Sequence, residues 1–204
     1  ESFYSKEFSL SKITTEEYIT SPLFEVIGVA VKKNNEPTQW FSGTRKETRD
    51  WLMQFDWGNS MMVAHNALFD AAILRWRFGI TPKVVVCTLC MGRALHAAVV
   101  GGSLAKLSTH YGIGEKGTEV HDAIGKRRLD FTADELKAYA GYCVNDVDLT
   151  YALFHKMLPS FSKTELKLID ITIKMFSEPR LTLNKPMLEA HLTDVQEMKA
   201  SLLA

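Results

Sequence analysis

Between Met61 and Phe78 the chain reads Met-Met-Val-Ala-His-Asn-Ala-Leu-Phe-Asp-Ala-Ala-Ile-Leu-Arg-Trp-Arg-Phe, and no other stretch constrains the fold as tightly. Met61 to Ala64 is a short apolar run suited to a buried strand. Asn66 is a residue type that caps helices. From Ala67 onward the helical reading is apolar on nearly every side, which places it in the interior. Asp70, in its first turns, is the anomaly. A lone buried carboxylate is costly, or shifts its pKa until neutral, unless a cation, metal or donor set answers it. Asp70 is therefore a candidate functional residue.

The rest of the chain supplies partners for this unit. Thr14 with Glu17 forms a capping box, which predicts a short helix from Thr15 to about Ile19. Phe24 to Lys33 is β-branched and mostly apolar, and Asn34-Asn35-Glu36-Pro37 turns it back into Thr38 to Ser42 as a hairpin. Thr44 with Glu47 opens a helix to about Phe55. Val84 to Val86 reads as a second buried strand, followed by helices from Thr88 to about Val99 and from Ser103 to Gly112. A charged, loop-like stretch follows to Asp130. Thr132 with Glu135 starts the longest helix, to about Met157, and Ser162 with Glu165 opens another that Pro179 ends. Leu181 to Leu183 reads as extended, and Asn184 caps a last helix. A hairpin first and strand–helix units later predict an α/β fold, a mixed sheet with helices on both faces.

With 204 residues the chain can bury one full core and carry an appendage. The expected division is one domain over 1–160 and a helical extension over 161–204. Lysine plus arginine equals aspartate plus glutamate at 24 each, so no global field draws in nucleic acid or an anionic membrane. A polyanion would have to be held by a local cluster or by metal ions. No apolar run reaches the length of a membrane span, and the expected compartment is the cytoplasm. Cys87-Thr-Leu-Cys90 lacks a second pair for a zinc site, and with Cys143 it reads as buried thiols.

On the long helix, Tyr142 and Asp146 are four apart and share a face, beside the core stripe of Leu136, Tyr139 or Ala140, Cys143, Val147 and Phe154. Taken alone, Asp146 would read as an exposed carboxylate, as Asp148 does. Asn66-Ala-Leu-Phe-Asp70 and Tyr142-Cys-Val-Asn-Asp146 together, in this order, change that reading. They resemble the second and third signature motifs of the proofreading 3′–5′ exonucleases, the DEDD superfamily in its tyrosine subgroup. Glu1-Ser2-Phe3-Tyr4 resembles the first motif without its leading Asp. Gly112 to Gly117 and Gly125 to Arg128 are similar to the exonuclease domains of phage-type family A DNA polymerases. The resemblance spans essentially the whole chain.

What the resemblance implies is an RNase H-like domain whose first strand is missing with the Asp, leaving a long sheet edge. It implies residues ahead of Glu1 in the natural protein, without which activity is in doubt. It implies that Glu1 and Asp146 ligate one divalent ion and Asp70 holds a second, while Tyr142 orients the attacking water. Hydrolysing a phosphodiester needs the charge on the attacking and leaving oxygens neutralised, a task suited to two Mg²⁺ or Mn²⁺ ions on carboxylates. The implied partner is a single-stranded DNA 3′ end, with a polymerase domain following in the same chain, in a bacterial or phage-infected cell. His65, Asn66 and Phe69 adjoin the site as substrate contacts, although His65 equally suits a hydrogen-bonded core position. Lys116 and Lys126 are candidate phosphate contacts among Lys106, His110 and Arg127, where solvated surface is the simpler reading. His121 is the alternative base of another subgroup. Trp40, Trp51, Trp57 and Trp76 read as core. Two other functions stay open: a free-standing exoribonuclease or oligonucleotidase, and an inactive module that binds single strands or a protein.

Overall fold

The computed structural model describes residues 1–117 and 123–203. His121 lies outside the described residues. The elements follow the expected order: α1 (Thr15–Thr20), β1 (Val29–Val31), β2 (Gln39–Phe41), α2 (Arg45–Leu52), β3 (Met61–Ala64), α3 (Ala67–Ile73), β4 (Val84–Cys87), α4 (Thr88–His96), α5 (Leu104–Tyr111), α6 (Ala133–Met157), α7 (Lys163–Ser177) and α8 (Lys185–Leu203). Reciprocal capping boxes at Thr14, Thr44 and Thr132 start α1, α2 and α6. Ser162 caps α7 through the Glu165 N–H.

The fold is α/β, of the RNase H-like type, and its sheet is divided in two. β1 and β2 pair antiparallel, β3 and β4 pair parallel, and Ser2 bridges Val26 outside both. The long strand expected over Phe24–Lys33 is thus regular only at Val29–Val31. Helices cover both faces of the β3–β4 pair. Val85 points into a cluster with Ala67, Ala71, Leu74 and Ile173, from α3, its continuation and α7. Its neighbour Val86 points the other way, to Met91, Leu107, Leu149 and Leu153 from α4, α5 and α6. The period of two along a strand produces this division. All four tryptophans pack against these apolar clusters or their two neighbours.

Two local features differ from expectation. Asn66 does not cap α3 through its side chain; it sits in the left-handed region at φ 72°. Asn tolerates that conformation better than most residues, and the turn leaves the Ala67 N–H to donate to Cys87 Sγ at 3.4 Å. After Ile73, the helix widens to a π-type turn over Leu74–Phe78, which Gly79 ends at φ 70°. Such widened turns often accompany functional sites.

α7 closes the otherwise open edge of β4. Asp170 Oδ1 accepts the Val85 N–H at 2.7 Å, Lys174 donates to the Lys83 carbonyl at 2.7 Å, and Trp76 Nε1 donates to the Ser177 carbonyl at 2.9 Å. α8 is different: none of its residues is buried. No described helix is long and apolar enough to cross a membrane.

Candidate active site

A cleft of about 1520 Å³ runs between β1 and β3, and most of the proposed site residues border it. Glu1, His65, Asn66, Phe69, Asp70, Lys116 and Asp146 line its walls. Three elements bring them there. The turn out of β3 and the start of α3 supply His65 through Asp70, α6 supplies Tyr142 and Asp146, and the chain beside β1 holds Glu1. The Glu1 amino group donates to the Gly28 carbonyl at 2.8 Å, and its carboxylate accepts from Tyr139 Oη at 3.1 Å.

The carboxylates sense one another. Burial pushes the Asp70 carboxyl up to about 6, with the nearby Glu1 carboxylate adding to the rise and the Glu1 amino group opposing it. Burial likewise pushes Asp146 upward, against the pull of Lys116 and Tyr142, while Glu1 again raises it. Asp70, Asp146 and Glu1 line the same cleft. Asp146 Oδ1 is buried and has no hydrogen-bond partner, a condition buried oxygens rarely tolerate.

Tyr142 is buried, with its ring stacked at 6.1 Å on that of Tyr139. Burial, then the Asp146 charge, raises its phenol, so at neutral pH it keeps its proton. Lys116 Nζ donates to Tyr142 Oη at 2.5 Å and also to Asp146 Oδ2. The loop that carries Lys116 is seated on α6. Asn145 Nδ2 donates to the Glu115 carbonyl at 2.9 Å, and a Cβ on Gly114, where φ is +138°, would meet Leu149 at 2.9 Å.

His65 combines the two roles left open for it. It lines the cleft, its Nδ1 lies 2.9 Å from Thr88 Oγ1, and burial pushes its pKa down to about 4. It is a neutral, fixed imidazole at physiological pH. Phe69 lies at the cleft with its ring 5.9 Å from that of Tyr18. Lys126 is not brought to the site: it pairs with Glu135 at 2.7 Å and lies over the Phe131 ring. Arg127 pairs with Glu25 at 3.0 Å and covers Phe3. Asp148 binds Lys32 at 3.0 Å and Thr38 at 2.6 Å, which ties the hairpin to α6.

Tyr139 was not legible as a site residue, since its place on the α6 core stripe explained it already. Lys32, Lys33 and Arg93 line the cleft as well. The doublet Lys32-Lys33 ahead of a turn was the one sequence signal for them. Cys87 is buried beside Cys90, whose hydrogen bond holds the Cys87 thiol below the ordinary thiol range and raises Cys90 in turn. Among the described residues, no three His, Cys, Asp or Glu side chains form a ready-made metal cage. The carboxylates instead face a cleft in which one of them is engaged by an ammonium.

Residues 53–161 match the family model described as 3′–5′ exonuclease. The match contains Asp70, Tyr142 and Asp146, and Glu1 lies outside it. No match is found among curated proteins.

Proposed function

This chain belongs to the 3′–5′ exonuclease family, and on that premise we propose that it removes nucleotides from the 3′ end of single-stranded DNA, with two divalent ions, as the proofreading module of a phage-type DNA polymerase. The observation that carries the reading is the convergence of Asp70, Asp146 and Glu1 on one cleft, with Asp146 Oδ1 buried and unpartnered. The donors suit hard cations, because all are carboxylate oxygens lining one cleft. Bound there, Mg²⁺ or Mn²⁺ would activate water and neutralise charge on the attacked and leaving oxygens.

The chain's own residues do the rest. Asp146 and Glu1 would hold one ion and Asp70 the other. Tyr142, protonated at neutral pH, presents Oη beside Asp146 and orients the attacking water. The neutral His65 and the exposed Asn66 flank the place for the terminal nucleotide, and Phe69 offers it an apolar face. Lys33, Arg93 and Lys116 supply positive charge along the cleft for the phosphates, which a chain of zero net charge must do locally. We propose Glu1 to about Ser160 as the unit that carries the nuclease site, with α7 completing its core and the exposed α8 leading towards a polymerase domain.

The test uses one DNA strand labelled in turn at each end. Mg²⁺ or Mn²⁺ should release the 3′ label as mononucleotide while the 5′-labelled strand shortens stepwise, and EDTA should stop both. Equal cleavage in EDTA, or loss of the 5′ label first, contradicts the reading. Faster release from RNA of the same sequence would replace DNA as the substrate.

A further inference from the structure

Lys116 stands where a positive charge is most needed, although a phosphate contact was its expected role. Its ammonium donates to both Tyr142 Oη and Asp146 Oδ2 and lies 4.3 Å from the Tyr142 ring centroid. Its side chain is 26 % exposed and that of Asp146 21 %, so the ion pair is sheltered from solvent without being sealed. The loop is fixed from below by the Asn145–Glu115 bond and by the close approach of Gly114 to Leu149. The aim of Lys116 at Asp146 therefore comes from a seated loop and not from a side chain resting on the surface.

We infer that Lys116 is a resident counter-cation that holds Asp146 and Tyr142 in place while metal is absent and competes with the divalent ion for the Asp146 carboxylate. The inference rests on the two-ion reading above and adds a control on it. Asp146 Oδ1 is open to a metal, while Oδ2 is engaged by the Lys116 ammonium. An ammonium left beside a divalent cation repels it, strongly so in a partly desolvated cleft. Metal entry thus displaces Lys116, whose long, flexible stem lets it swing into the cleft. The released ammonium is then free to meet the phosphate of an incoming strand, so metal loading and strand binding are linked through one side chain. Lys116 is a positioning residue in this scheme: it acts through Asp146 and Tyr142.

The experiment needs no turnover. Mn²⁺ is titrated into the protein without nucleic acid, and free Mn²⁺ is followed by its electron paramagnetic resonance signal. Lys116→Met, which keeps the stem and removes the charge, should bind Mn²⁺ on the order of tenfold more tightly than the parent chain. Lys116→Arg should stay near the parent. Unchanged or weaker binding in Lys116→Met overturns the inference. A second readout on the unaltered chain covers a variant that fails to fold. Labelling of Lys116 by an amine-reactive ester, read by mass spectrometry, should rise when Mn²⁺ is added; constant or reduced labelling in Mn²⁺ would count against displacement. If no protein binds Mn²⁺, the two-ion reading falls and this inference with it. If Mn²⁺ binds alike to all, only the role of Lys116 falls.

Discussion

Two single residues at the site carry opposite pH signatures. In the folded chain the Asp70 carboxyl is held up at about 6 against an ordinary 3.8, chiefly by burial. Between those values the folded state keeps a proton that the unfolded state has released, so Asp70 makes stability fall as pH rises through that window. His65 is held down at about 4 against 6.5, also by burial. There the unfolded state keeps the proton, so His65 makes stability rise over nearly the same range. Each effect is at most on the order of 3 kcal/mol, since a pKa unit is worth about 1.4 kcal/mol. In EDTA the two should largely offset each other in the parent chain. Denaturant melts should show Asp70→Asn gaining stability, and His65→Gln losing it, between about pH 4.5 and 6.5. Identical pH profiles for the two variants would show that neither group is buried as described. At this scale the sequence was most readable where a residue looked misplaced. Asp70 in an apolar helix announced itself, whereas Asp146 read as an exposed carboxylate until the two motifs were taken together. Lys116 and Tyr139 did not stand out, because the first acts through a loop seated by tertiary contacts and the second has an adequate core role.

Among the elements, starts were legible and extents were not. Thr14, Thr44 and Thr132 each occupy a reciprocal box in which side chain and backbone satisfy one another locally, so α1, α2 and α6 begin where the sequence says. Strand length depends on what lies alongside, and β1 is regular over three residues of the apolar run that contains it. The two C-terminal helices looked alike in sequence, yet their packing separates them. α7 buries Ile173 in the core around Val85 and satisfies the edge of β4 through Asp170, whereas α8 buries nothing. Ending the chain after Glu178 should therefore leave the melting temperature within about 3 °C of the full length. Ending it after Ser162 should lower it by more than about 10 °C or prevent folding, as Val85 N–H and an apolar face lose their cover. Circular dichroism melts of both truncations decide this, and equal stability of the two would place α7 outside the folded unit.

For the whole molecule, the organising fact is that α6 crosses both small sheets and sets its Tyr142–Asp146 face against the cleft that α3 enters with Asp70. A neutral chain gains local charge there in two opposing sets: carboxylates at the centre, and Lys33, Arg93 and Lys116 around them. That arrangement suits a polyanion drawn in locally and cut beside bound cations. Its test is the rate at which a 3′-labelled single strand is shortened in Mg²⁺ by the chain and by Asp146→Asn under single-turnover conditions. Burial already disfavours the Asp146 charge, so the variant should melt within about 3 °C of the parent. The account predicts a rate at least about 100-fold lower for this folded variant; a rate within about threefold of the parent would contradict it.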